Sequence, residues 1–222
     1  MITQIYGIKG MQETLDCIEA GADYVGFVAG SGNFDFGITP LDELEEIFQA
    51  VGDTAVKVAI VGIASDTYEE IFDTMSVLSA DIFHLTGKLE TNAEFYEKFK
   101  GLYPGKKLMQ AVAVVDDSAV EKAQEVEKYC DLIILDSVAN DKEIGAAGIT
   151  HDWNVSRKIV ETVSVPVILA GGLGVDNVAD AIKTVSPFGV DSLTRTNKNF
   201  DKTLGKDIEA VRKFCEIAHS FR

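Results

Sequence analysis

Asp136 is the residue in this sequence best suited to chemistry. It closes the apolar run Leu132-Ile133-Ile134-Leu135, where a carboxylate costs free energy unless it is paired or used. A carboxyl buried at a strand end has a raised pKa and can serve as a general acid. The plainer reading is a helix cap or loop anchor. A second stretch is Val165-Pro166-Val167-Ile168-Leu169-Ala170-Gly171-Gly172. Its unbroken apolar run reads as a strand buried on both faces. Gly171 and Gly172 would let a bound group approach backbone N–H groups, and the helical rhythm that follows Gly174 adds a helix N-terminus. These features suit a phosphate, although a tight turn alone also requires glycines.

Other residues fall at strand ends where they could join such a site. His84 alternates with Phe83 and Leu85, as a base or as a hydrogen-bonded core residue. Arg195, next to Thr194, offers a fork of donors to a phosphate, or is a solvated loop arginine. Tyr6 is a poor base at its ordinary pKa near 10 and suits packing or hydrogen bonding. Lys9, Asp35 and Gln110 complete the set as candidate substrate contacts. His84, His151 and His219 lie far apart in the chain, and no carboxylate and histidine cluster has metal-ligand spacing. There is no P-loop and no nucleophile elbow. The sequence therefore calls for no metal and no cofactor.

These residues need elements to position them. Apolar runs near 2–8, 24–29, 55–61, 81–85, 107–114, 131–135, 165–170 and 189–193 read as strands. Helical rhythms near 12–20, 39–51, 65–78, 91–99, 116–129, 152–162, 174–186 and 204–214 lie between and after them. Thr39 and Ser65 are the expected caps of the second and third helices, with Pro40 at the first helical position. Gly101 is expected to end the fourth. Eight alternations with no linker predict one (β/α)8 TIM barrel over residues 1–222, compact beside the ~250 residues typical of that fold. An open doubly wound sheet is the runner-up, but it calls for a GxGxxG turn after the first strand. Gly7-Ile8-Lys9-Gly10 does not supply one.

Composition narrows the partners. With 20 Lys plus Arg against 36 Asp plus Glu, the net charge is −16. That disfavours nucleic acid and anionic membrane, while a small site can still be locally positive for an anionic metabolite. Cys17, Cys130 and Cys215 form an odd, sparse set that argues against a disulfide framework. No apolar run is long enough to span a bilayer, and the first residues lack a signal-peptide pattern. A cytoplasmic protein is expected; the sequence does not indicate an oligomeric state.

Several segments, taken in order, resemble the phosphoribosylanthranilate isomerase family. They are Ile5-Tyr6-Gly7-Ile8, Ala20-Gly21-Ala22-Asp23-Tyr24-Val25-Gly26-Phe27-Val28, Leu135-Asp136-Ser137, Gly145-Ala146-Ala147-Gly148 with Asp152-Trp153, the run from Pro166 to Gly172 with Asn177-Val178, Gly189-Val190-Asp191, and Gly205-Lys206-Asp207. The resemblance covers nearly the whole chain. It implies a (β/α)8 barrel of tryptophan biosynthesis that performs an Amadori rearrangement on an aminated ribose 5-phosphate carrying anthranilate. It further implies an acid at Asp136 and phosphate binding by the glycine turn after the seventh strand and the loop after the eighth.

The sequence departs from that pattern in several places. Tyr6 stands where the family has a first-strand cysteine base. Asp35 and Phe36 lie where it has an arginine facing the anthranilate carboxylate. The fourth-strand motif reads His84-Leu85-Thr86-Gly87, and the eighth-strand stretch reads Leu193-Thr194-Arg195. Loss of a general base removes roughly 10²–10⁴-fold in rate unless another group replaces it, and His84 is the candidate replacement. Three readings follow. The first is an isomerase of a phosphorylated sugar derivative. The second is phosphoribosylanthranilate isomerase itself with an altered base. The third is a non-catalytic phosphometabolite-binding protein.

Overall fold

A computed structural model describes residues 1–30, 37–63, 65–87, 89–137 and 150–221. The strands are β1 Ile2–Tyr6, β2 Tyr24–Val28, β3 Val56–Val61, β4 Ile82–Leu85, β5 Lys107–Ala113, β6 Leu132–Asp136, β7 Val167–Leu169 and β8 Gly189–Ser192. The helices are α1 Gly10–Glu19, α2 Leu41–Val51, α3 Tyr68–Ser76, α4 Ala93–Leu102, α5 Ser118–Val126, α6 Trp153–Thr162, α7 Val178–Val185 and α8 Ile208–His219. Every neighbouring strand pair is parallel, and β1 closes onto β8 from Ile2 opposite Gly189 to Ile5 opposite Ser192. That closure excludes the open sheet and establishes a (β/α)8 barrel. Among the described residues no helix is long and apolar enough to cross a membrane.

The strands read as continuous apolar runs because both of their faces are covered. One face fills the barrel, where Val58, Ile60, Ile82, Met109, Leu132 and Ile168 pack together. The other face meets the helices through Val25, Phe27, Phe83, Ile133 and Leu135 among others. Alternation along each strand then fixes which polar residues face inward. On β6, Leu132, Ile134 and Asp136 share the inner face; on β4, Ile82 and His84 do. The three cysteines are free and buried.

Helix ends depart from the expected ones. Pro40, not Thr39, occupies the cap position of α2, with no side-chain cap bond. Thr39 instead extends the barrel rim, its N–H donating to the Val28 carbonyl at 2.9 Å. Thr67, not Ser65, caps α3, in a reciprocal box with Glu70 that satisfies two orphan N–H groups at once. Gly101 lies inside α4, which continues to Leu102. α8 begins only after Asp207, whose carboxylate accepts from the N–H groups of Glu209 and Ala210. Leu204, expected to start that helix, lies in a turn closed onto the Asp201 carbonyl.

One glycine shapes the barrel interior. A Cβ at Gly26 on β2 would overlap Cδ1 and Cε1 of Tyr6. The bare backbone is thus the bed on which the Tyr6 ring lies. Gly26→Ala is expected to cost about 1–3 kcal/mol, as overpacking does, and to displace that ring. Urea unfolding and the Tyr6 ring resonances check both effects; an unchanged midpoint with unchanged resonances would refute the placement.

Candidate active site

Alternation and parallel order bring five polar side chains to the inner surface of the barrel: Gln4, Tyr6, His84, Asp136 and Asp191. Asp136 sits at the C-terminal end of β6, part-buried, with its Oδ1 accepting from the Ser137 N–H at 2.7 Å. Loss of solvent pushes its pKa up to about 7, and the Ser137 bond only partly opposes this. Asp191, fully inside on β8, accepts from Gln4 Nε2 at 3.1 Å. Burial raises its carboxyl well above the ordinary range, and the Asp136 charge raises it further. Two carboxyls therefore face one interior in which neither ionises freely.

Tyr6 and His84 meet across the barrel. The phenol oxygen lies 2.7 Å from His84 Nδ1, and the rings stack with centroids 5.6 Å apart. Burial drives the imidazole down to about 3, so it is neutral. Burial, followed by the charges of Asp191 and Asp136, holds the phenol well above its ordinary value. Both rings are therefore uncharged near neutral pH. His84 Nε2 is buried and has no partner among the described residues.

The loops after β7 and β8 form the neighbouring part of the mouth. Gly171 and Gly172 have φ of 82° and 63°, values that favour glycine. A Cβ at Gly171 would strike Ser137 Oγ and lie 2.9 Å from His151 Nδ1. The glycine turn is thus pressed against the end of the Asp136 strand. Asn177, before α7, accepts from the Gly174 N–H at 2.8 Å and donates to the Gly172 carbonyl at 3.0 Å, which fixes the turn. Thr194 and Arg195 lie in a 3₁₀ turn after β8. The Arg195 side chain crosses Gly174, where a Cβ would come within 2.9 Å of its Nε. Thr194 Oγ1 and Arg195 Nε are both buried without a partner among the described residues. Such unmet donors beside a glycine turn suit an anion.

The remaining sequence candidates are placed differently. Arg195 is not a free clamp, because its Nη2 donates to both oxygens of Asp176 at 2.8 and 2.7 Å. Lys9 donates to the Thr203 carbonyl at 2.6 Å and ties two loops together. Gln110 faces the helix layer, because Met109 and Ala111 take the inner face of β5. Its amide accepts from the Thr91 N–H at 2.9 Å and donates to the Leu85 carbonyl at 3.3 Å. It is therefore a structural residue rather than a substrate contact. Asp35, Phe36, Gly145 and Gly148 lie outside the described residues. Among the described residues no group of three or more His, Cys, Asp or Glu could hold a metal ion.

Sequence reading passed over Asp191 as a site residue, although it carries the same signal as Asp136, a carboxylate in a short buried strand. It also passed over His151, which links Ser137 Oγ at 3.0 Å to Ser156 Oγ at 2.7 Å. Neither His151 contact has a local sequence pattern.

The ionisable interior and the glycine turn share the C-terminal end of a closed parallel barrel, the end at which barrels of this class carry their active sites. A model of the family described as N-(5'phosphoribosyl)anthranilate (PRA) isomerase matches residues 4–216. The N-(5'-phosphoribosyl)anthranilate isomerase of Methanocella arvoryzae is 32% identical over 217 residues, covering 96% of this chain and 95% of that protein. N-(5'-phosphoribosyl)anthranilate isomerase 2 of Methanosarcina mazei is 31% identical, covering 86% of this chain and 84% of that protein. The crystal structure of phosphoribosyl anthranilate isomerase from Thermotoga maritima superposes with a TM-score of 0.81 at 24% identity, over 100% of both chains. The chain belongs to the phosphoribosylanthranilate isomerase family.

The raised Asp136 pKa has a stability consequence of definite sign. The fold favours the neutral carboxyl, so ionisation weakens the fold as pH rises from about 4 through about 7. Asp136→Asn cannot ionise and also removes the charge that raises Asp191. Urea unfolding should show the variant more stable than wild type by on the order of 2 kcal/mol at pH 8, with the gain fading towards pH 4. A variant less stable at both values would contradict an acid whose ionisation the fold opposes.

Proposed function

We propose that this chain is an isomerase that carries out the Amadori rearrangement of an N-aryl ribosylamine 5-phosphate, with phosphoribosylanthranilate as the leading substrate. The observation that carries this reading is a carboxyl poised near pH 7 at the barrel mouth, beside a glycine turn with unmet anion donors. The names of the family and of the curated relatives support the same substrate.

In this reading Asp136 is the acid. At a pKa of about 7 a large fraction is protonated at neutral pH, and it gives its proton to the ribose ring oxygen as the C1–O bond breaks. The nitrogen lone pair forms the C1=N bond, leaving an open-chain iminium. A base then takes the proton from C2, which leaves a neutral enaminol; protonation at C1 and loss of the 2-hydroxyl proton, which returns Asp136 to its acid form, give the ketose. His84 Nε2 is the proposed acceptor. With Nδ1–H donating to the Tyr6 oxygen, Nε2 presents a lone pair that has no competing partner among the described residues. A buried acceptor without a partner is also tolerated better than a buried N–H without one. An imidazole with a pKa of about 3 cannot retain the proton. The reaction asks only that it be carried from C2 to the adjacent carbon.

The phosphate end falls to Gly171 and Gly172 with Thr194 and Arg195. Backbone N–H groups and the Thr194 hydroxyl supply directional bonds, and Arg195 contributes Nε while Asp176 holds its far side.

The test is turnover of phosphoribosylanthranilate, followed by loss of its fluorescence. Asp136→Asn should lower kcat by about 10²–10⁴-fold, the range lost with a general acid, and His84→Gln by about 10²-fold. No turnover by the wild type would remove this substrate. Full activity of His84→Gln would remove His84 as the base while leaving the acid in place.

A further inference from the structure

Lys206, between β8 and α8, is 1% exposed. Its ammonium spends its donors on one short stretch of chain: the Leu193 carbonyl at 2.9 Å, Asn197 Oδ1 at 2.6 Å and Thr196 Oγ1 at 3.4 Å. Those acceptors bracket Thr194 and Arg195, each of which has a buried donor without a partner among the described residues. The backbone reinforces the bracket. Asn197 bridges to Lys206, Lys198 N–H donates to the Gly205 carbonyl at 3.0 Å, and Asp207 N–H donates to the Thr196 carbonyl at 2.9 Å.

All three acceptors are neutral. A buried cation held only by neutral oxygens pays a desolvation cost that a carboxylate partner would ordinarily offset. Glu13 and Asp191 act on the ammonium without a hydrogen bond to it, so the unmet donors and a cation with no carboxylate bonded to it lie on the same turn. A phosphate dianion seated there would satisfy both.

We propose that Lys206 is a positioning residue for the phosphate end of the site: its ammonium holds the 193–197 turn in its binding shape and supplies the buried positive charge that draws in the anion. This rests on the phosphate site proposed above and adds to it a residue that does not touch the ligand. Burial lowers the pKa of Lys206 to about 8, so its charge is lost within an accessible range. The titratable and charged groups that face it are Cys17 and Glu13 from α1, Asp191 from β8 and Lys9 from the loop after β1. Cys17, pushed up to about 12 by burial, stays a thiol across that range. The others are common to wild type and variants.

The experiment measures the affinity of inorganic phosphate for the whole protein by calorimetry between about pH 7 and pH 9.5, beside the kinetics of phosphoribosylanthranilate turnover. Wild-type affinity should fall about tenfold as pH rises through about 8, because the protonated ammonium favours the dianion. Lys206→Met should bind phosphate about tenfold more weakly at pH 7, lose the pH-dependent fall, and show a raised KM with kcat changed less than about twofold. Asn197→Asp places a carboxylate on the ammonium. It should move the fall to higher pH, and it decides the matter even if the methionine variant does not fold. A wild type that binds no phosphate overturns the phosphate site and this proposal together. A wild type that binds phosphate with a flat profile, or a methionine variant that matches it in affinity and profile, overturns the Lys206 role alone.

Discussion

Closing eight parallel strands on themselves removes every sheet edge but leaves an interior that side chains alone must fill. Deep in the barrel that filling is apolar, with Val58, Ile82, Met109 and Ile168. Near the mouth it is polar, and the absence of bulk water governs each group there. The same desolvation moves Asp136 up to about 7 and His84 down to about 3. Opposite directions share one cause, because burial penalises the charged form whichever sign it carries. The mouth is therefore lined by groups held close to neutrality. A neutral carboxyl and a neutral imidazole on one inner surface are the groups that the proposed acid and base steps draw on.

The geometry of that mouth is fixed at the seam between β1 and β8. Glu13 on α1 accepts from the backbone N–H of Lys9 and of Lys206, each at 2.6 Å, and so joins the first and last loops of the barrel. Lys9 adds a second tie through the Thr203 carbonyl. Gly205 is part of the same seam, since a Cβ there would overlap Glu13 Oε1. The chain thus uses charged residues near its rim as fasteners between consecutive loops. That is why Lys9, read from sequence as a substrate contact, belongs to the frame. The opposite end of the barrel is tied similarly, with His219 at the end of α8 lying 2.9 Å from Asp23 and 3.4 Å from the Thr3 hydroxyl.

Strand number and order were legible because a parallel barrel buries both faces of each strand and so writes uninterrupted apolar runs. The same property hides which face is inner. Gln110 sits among Leu108, Met109, Ala111 and Val112, all apolar, and nothing in that string marks the parity that turns it towards the helices. Asp136 was legible because a carboxylate ending an apolar run has to be explained. Asp191 carried the same mark in a strand of four residues, too short for the contrast to stand out. Helix starts were less legible, since Ser65 and Thr67 are both good caps and only Thr67 has Glu70 at the spacing that completes a box. The Tyr6 and His84 contact joins residues 78 apart in sequence and depends on closure of the barrel, so no local pattern could reveal it.

The residue at the end of the first strand bears directly on the proposed proton step. A phenol buried beside two carboxyls is driven further from ionisation, so Tyr6 cannot act as an anionic base near neutral pH. What it can do is orient. Gly26 gives its ring a bed, and its hydroxyl reaches across to His84 Nδ1, which fixes the plane of the imidazole. In the proposed reaction the base is then a neutral nitrogen that is weak in isolation but preorganised and unsolvated. Its weakness is acceptable only because the proton leaves a carbon next to a cationic imine and returns to the neighbouring carbon. A substrate without that activation would give such a base nothing to accept, so in the proposed reaction Tyr6 and the acid at Asp136 serve the same iminium chemistry.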